Sequence, residues 1–307
     1  MDFIHAFIFG LGNSTNFLQD PHTAREWLDI YASRRPFRFW DGELPAIKNM
    51  SKRLGVPIVP AWVAKATSYI EDWTFQSCQK AKSWTKSIST DEEHERKTAA
   101  VVIDQLEMAV GSKIAQDPSL GPHHLQVASE VLDHLAAGHE TSGITLTYLY
   151  WELSRNAALQ DSLRNELLTL NPQIERVSSS PSRELPDSRI IDGLPLLHAL
   201  LMETLRIHSA IPGPQPRKTP SPPISVAGSP PLTPGTRISA HAYSLHRNPR
   251  VFPNPEVWNP SRWLDCSEKE KAEMSRWFWA FGSGGRMCIG SNIAMQGLWT
   301  TLIAKNH

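Results

Sequence analysis

Phe281-Gly282-Ser283-Gly284-Gly285-Arg286-Met287-Cys288-Ile289-Gly290 is the stretch on which the reading of this chain turns. Three glycines closely precede one cysteine and a fourth follows it. Glycine tolerates dihedrals that other residues avoid, so the pattern describes a tight loop whose backbone can approach a flat ligand. A helical pattern begins at Ser291. A cysteine just before a helix N-terminus meets unpaired N–H groups and the positive end of the dipole, which favour thiolate over thiol. Arg286 adds positive charge two positions away. The plain alternative is a glycine-rich surface turn holding an inert cysteine.

The rest of the composition narrows the choice. The chain has 307 residues, 40% of them hydrophobic, and a formal net charge of zero. That is enough apolar material for a large core, and no charge excess points to nucleic acid or an anionic surface. Cys78, Cys266 and Cys288 are odd in number and far apart, which disfavours a disulfide framework or a zinc site. The opening run Met1 to Asn13 is too short for a membrane span and lacks the basic flank of a signal peptide.

Periodicity predicts a mostly α chain with a small β region. Helices are expected at the start of the chain around Trp27 to Tyr31, from Pro45, over Ala61 to Trp84, and over Ser89 to Val110. The longest, His124 to Arg155, carries apolar residues around most of its circumference and is expected to be buried. Further helices are expected over Asn156 to Leu170, Leu194 to His208 and Ser291 to Lys305. Asn171 to Asp192 reads as a surface loop. Dense prolines after Ser209 leave room only for short strands, with Ile224 to Val226 and Arg237 to Ser239 as candidates. Phe252 to Asp265 reads as extended.

Three constellations stand out besides the cysteine loop. Ala137-Gly138-His139-Glu140-Thr141-Ser142 puts glycine, an acid and hydroxyls inside the long helix. There a buried acid and hydroxyl are costly unless hydrogen-bonded or functional, and the Ala-Gly pair leaves room at the backbone; a helix N-cap or an ordinary solvated glutamate is the plain alternative. Glu203 and Arg206 share one helix face at i, i+3; on a surface such a pair is worth less than about 1 kcal/mol. Pro260-Ser261-Arg262-Trp263 supplies another arginine. Arg217 follows the proline-rich turn after the helix ending near His208, and an exposed linker arginine is its plain alternative.

The decapeptide resembles the haem-binding signature of cytochrome P450s, Phe-x-x-Gly-x-Arg-x-Cys-x-Gly, at Phe281, Gly284, Arg286, Cys288 and Gly290. The other motifs fall in the family's order. The resemblance implies a partial cytochrome P450 fold, one domain over residues 1–307. It implies that Cys288 is the axial thiolate ligand of the iron in haem b (iron protoporphyrin IX). Phe281 would pack beside the thiolate, and Arg286 and Arg217 would meet haem propionates. Ala137 and Gly138 would border an oxygen pocket in the distal helix, where Glu140 and Thr141 form the acid–alcohol pair that manages protons. Glu203, Arg206 and Arg262 would brace the haem loop.

The activity so implied is monooxygenation: one atom of O2 enters a small organic substrate, with electrons from NADPH through cytochrome P450 reductase. No nucleic-acid partner is expected. The wording around Glu140 and Phe39 to Pro45 is most similar to fungal microsomal P450s of secondary metabolism. The motifs align from about the middle of a P450 to just past the haem loop. The expected parent is therefore longer at both ends and anchored at the cytosolic face of the endoplasmic reticulum. This chain alone, lacking the anchor, would be cytoplasmic. A non-catalytic haem-binding remnant or interaction fragment is the other reading.

Overall fold

The computed structural model describes residues 1–87, 101–170 and 186–306. In chain order its helices are α1 (Asp2–Phe9), α2 (Pro21–Ser33), α3 (Arg38–Gly42), α4 (Pro45–Arg53), α5 (Ala61–Ser87), α6 (Val101–Gln116), α7 (His123–Ser154), α8 (Ala157–Leu167), α9 (Ser188–Asp192) and α10 (Pro195–Ile207). Strands β1 (Pro214–Lys218) and β2 (Arg237–His241) follow, then α11 (Ala242–Leu245), α12 (Ser261–Leu264), α13 (Glu268–Trp277) and α14 (Ser291–Asn306). The chain is mostly α with one small sheet, as its periodicity predicts. Contacts divide it into two compact units, Met1–His139 and Glu140–His307, and the division falls inside α7.

The first unit is built on aromatic and β-branched residues at helical spacing. Pro21 opens α2, and the Asp20 carboxylate caps it by accepting from the Thr23 N–H. One turn apart, Trp27 and Tyr31 stack in the interior against Ile70 of α5. A second cluster joins Ile8 and Phe9 of α1 to Val127, Val131 and Leu135, which recur every fourth residue along α7. Gly138 lies on the same helix. A Cβ there would meet Ile4 side-chain carbons at 2.9–3.0 Å, so the missing side chain is what lets α1 sit close.

The second unit is a leucine core. Leu149 and Leu153 of α7, Leu163 and Leu167 of α8, Leu197 and Leu200 of α10, and Leu298 and Leu302 of α14 form one buried cluster. Helix α10 begins without a side-chain cap of its own. The Glu166 carboxylate of α8 reaches across instead and accepts from the N–H groups of Leu196 and Leu197 at 2.7 and 2.8 Å. A carboxylate at an N-terminus satisfies orphan donors and meets the favourable end of the dipole.

Several expectations need correction. Helix α7 is not buried all round: Leu125, Tyr148 and Trp151 are exposed, so the apolar residues exceed what its neighbours cover. The partner of β2 is the proline-bearing β1, antiparallel with Arg217 opposite Ile238. Ile224 makes only an isolated bridge to Leu232. A two-stranded ribbon has free edges on both sides, which is where Pro214 and Pro216 are tolerated. The 252–265 stretch is turns ending in α12 rather than extended chain, and Ser188–Asp192 is a short helix within the expected loop. Residues 89–100 of the expected 89–110 helix and residues 171–185 of that loop lie outside the described residues. Helix α13 opens on a capping box, Ser267 with Glu270.

The Gly138 contact makes a packing prediction. Gly138→Val should lower the unfolding free energy by about 1–3 kcal/mol through overpacking. Adding Ile4→Ala should recover most of that loss in a urea denaturation double-mutant cycle.

Candidate functional site

The cysteine loop is closed by its own backbone. The Cys288 N–H donates to the Phe281 carbonyl at 2.8 Å and the Met287 N–H to the Gly284 carbonyl at 3.0 Å. Gly282 and Gly284 have φ of +69° and +70°, which side-chain-bearing residues rarely adopt, and this is what lets the chain turn so tightly. Gly290 lies beside the thiol: a Cβ there would come within 4.0 Å of Cys288 Sγ. The Phe281 side chain borders a cavity of about 470 Å³ with Met202, Met295 and Trp299.

The three cysteines are chemically distinct. Cys78 is buried, and burial pushes its thiol up to about 12, so it stays protonated and inert. Cys266 is half-buried and Cys288 is exposed; all three are free. Among the described residues no group of three or more His, Cys, Asp or Glu converges as metal donors.

The surroundings of Cys288 fit a flat apolar group with acidic edges. Met287 and Ile289 flank it with 57% and 88% of their surface exposed. A Cβ at Gly284 or Gly285 would meet nothing within 4 Å, so this face of the loop is open. Arg286 is exposed two residues away. Strand β1 also reaches the loop, because a Cβ on Gly282 would come within 3.1 Å of Gln215 Oε1. Arg217, two residues on along the same strand, is exposed, with its Nη1 donating to the Pro216 carbonyl.

Behind the loop lies a buried charge cluster. Glu203 and Arg206 are both 0% exposed, not a surface pair. Arg206 grips the carboxylate bidentately, Nε to Oε2 at 2.9 Å and Nη2 to Oε1 at 2.7 Å. The Asn259 N–H and the Trp263 indole N–H add a donor to each oxygen at 2.9 Å, and Arg262 Nε completes the set at 3.5 Å. Arg206 spends its remaining donors on the carbonyls of His246, Pro255 and Val257. Glu203, Arg206 and Arg262 thus meet at one carboxylate.

His246, to which the sequence assigns no role, links this cluster to the cysteine segment. It is fully buried and stacks on Phe278 at 5.3 Å. Its Nε2 accepts the Trp279 N–H at 2.6 Å, which leaves Nδ1 to carry the proton and donate to the Arg206 carbonyl at 2.8 Å. One imidazole thus ties α10 to the chain two residues before Phe281. Burial pushes His246 down to about 4; the hydrogen bond to the Arg206 carbonyl opposes this, while the Arg206 and Arg247 charges push the same way as burial.

Residues 137–141 lie consecutively on α7. Glu140 and Thr141 are partly buried at the start of the second unit. Thr145 Oγ1 donates to the Thr141 carbonyl, one of the side-chain bonds that locally load this helix. Ala137, Gly138 and His139 belong to the first unit. The His139 ring lies edge-on to Trp27 and Tyr31.

Residues 46–304 match the cytochrome P450 family profile. The chain belongs to the cytochrome P450 family. Among similar curated P450s, the monooxygenase FGM1 of Gibberella zeae is 27% identical over 94% of this chain and 53% of its own length. The monooxygenase avaI of Aspergillus versicolor is 27% identical over 97% of this chain and 64% of its own. The monooxygenase tazI of Aspergillus terreus is 36% identical over 56% of this chain and 32% of its own. The chain thus spans from about a third to under two-thirds of these relatives. Within this P450 no helix among the described residues is long and apolar enough to cross a membrane.

Two predictions follow from the buried cluster. Glu203→Gln should cost about 3–5 kcal/mol of unfolding free energy, read from urea midpoints, because two arginines then face a neutral amide. Lowering pH tests His246. Its folded pKa lies below the ordinary 6.5, so its contribution is complete above that value and disappears as pH falls toward 4. About 3 kcal/mol should be lost across that window. His246→Gln should flatten the profile only in part, since burial holds His5 down to about 4 as well.

Proposed function

We propose that this chain is the haem-thiolate portion of a monooxygenase that puts one oxygen atom from O2 into a small organic substrate. The observation that carries the reading is Cys288: an exposed thiol in a glycine-shaped, open loop that lies inside the P450 match. Haem b, when bound, supplies the oxidative chemistry. The chain's own residues do the remaining work. The Cys288 thiolate holds the iron, and Arg286 and Arg217 neutralise propionates. Glu140 and Thr141 hold and pass protons at a carboxyl and a hydroxyl oxygen. The room the resemblance assigns at Gly138 is taken by Ile4 of α1, so Gly138 serves helix packing and Ala137 is left as the exposed member of the pair. Glu203, Arg206 and Arg262 fix the base on which the loop stands, with His246 as the tie.

Electrons come from NADPH through cytochrome P450 reductase. The fungal relatives support a role in secondary metabolism. The family match runs across both compact units, which supports a single partial P450 domain over residues 1–307. For the full-length protein we place the domain at the cytosolic face of the endoplasmic reticulum membrane.

The test is the reduced, carbon-monoxide-bound absorption spectrum of purified protein supplied with haem. The reading predicts a thiolate-type Soret band in the wild type that vanishes in Cys288→Ser. A chain that takes up no haem, or an unchanged band in the variant, would contradict it.

A further inference from the structure

We propose that the cavity of the first unit walled by α2, α3, α5 and α7 binds a small organic molecule carrying a carboxylate, with Arg34 as the residue that selects it. That this molecule is the substrate rests on the monooxygenase reading; that the cavity prefers an acid does not.

The cavity holds about 450 Å³, within the roughly 300–1,000 Å³ of small-molecule sites. Its apolar wall includes Phe37, Val63, Leu132 and Ala136. Ala136 immediately precedes Ala137 and Gly138 on α7, so a molecule against this wall lies beside the motif assigned to the distal side. An apolar wall with a few polar groups suits an organic body with one polar end.

The charges in the wall decide what that end is. Arg34 and Arg38 both line the cavity. Arg34 follows the last turn of α2 and holds its guanidinium over the Tyr31 ring, 5.1 Å from the centroid. Its Nε is buried and has no hydrogen-bond partner among the described residues. Burial pushes the Arg34 pKa down; Arg38 pushes the same way, while Tyr31 and Glu71 oppose it. The guanidinium is thus partly desolvated beside a second cation and lacks the bidentate anion that such a group takes when buried. Two acids share the wall. Asp41 is paired with Lys48, which leaves Asp133, exposed on α7, to face two arginines. A carboxylate on the ligand supplies the missing anion.

Calorimetric titration of the full chain without haem tests this. The probes are 2-naphthylacetate, the neutral 2-(2-naphthyl)ethanol, and inorganic phosphate. Wild type should bind the acid about tenfold or more tighter than the alcohol, the difference expected of a charge-assisted pair. Arg34→Gln should erase that preference and leave the alcohol's affinity unchanged, which also shows that the variant is folded. Arg34→Lys should keep part of it, since the charge stays and the planar fork is lost. Equal affinity for acid and alcohol, or no acid binding at millimolar concentration, would overturn the proposal. So would a preference that survives in Arg34→Gln, or phosphate that binds more tightly than the acid. Because no haem is present, failure here leaves the spectrum of the Cys288 complex untouched, and failure of that spectrum leaves the acid preference standing.

Discussion

Glu203 sits with no exposure to water on a helix that also buries four leucines, and five donors converge on its two oxygens. A carboxylate in such a place is tolerable only when every lone-pair direction is used. The requirement propagates. Asn259 and Trp263 must come from the segment after the sheet, so the turns between Phe252 and α12 are shaped to deliver them. Arg206, held by Glu203, then has donors left over, and it spends them on three carbonyls of the same segment. A polar network that is fully satisfied specifies one arrangement, whereas leucine against leucine would accept several.

That specificity is what a loop such as 281–290 needs. Its own hydrogen bonds close it but do not orient it, and glycine at four of its ten positions gives it little packing of its own. Orientation comes from the tether at Trp279, where His246 holds the backbone N–H and passes the constraint to the Arg206 carbonyl. On the other side Gln215 of β1 closes against Gly282. The thiol is thus presented by a rigid base, the arrangement that favours a precisely held ligand site.

Much of this could be read from the residues. The cysteine loop is legible because glycines crowding a cysteine are unusual; the Glu203–Arg206–Arg262 set is legible only through the resemblance to cytochrome P450s, since Glu203 and Arg206 at i, i+3 read equally well as a surface pair. The helices are legible through their period, and α7 is placed within a residue or two of its observed ends. Burial is less so, because an apolar residue such as Tyr148 or Trp151 carries no mark of whether a neighbour will cover it. His246 could not be read, since its role depends on α10 and on Trp279, each more than 30 residues away along the chain. Arg34 was hidden differently. Arg34-Arg35-Pro36 reads as the end of a helix, which it is, and only the folded unit shows that its first arginine borders a cavity.

The central claim is that Cys288 binds iron from this braced loop. Iron-edge X-ray absorption on the haem-loaded protein addresses it at the atom concerned. The account predicts a sulfur scatterer in the first shell of the iron that is lost in Cys288→Ala and retained in Cys266→Ala. A first shell of nitrogen and oxygen alone in the wild type would contradict it.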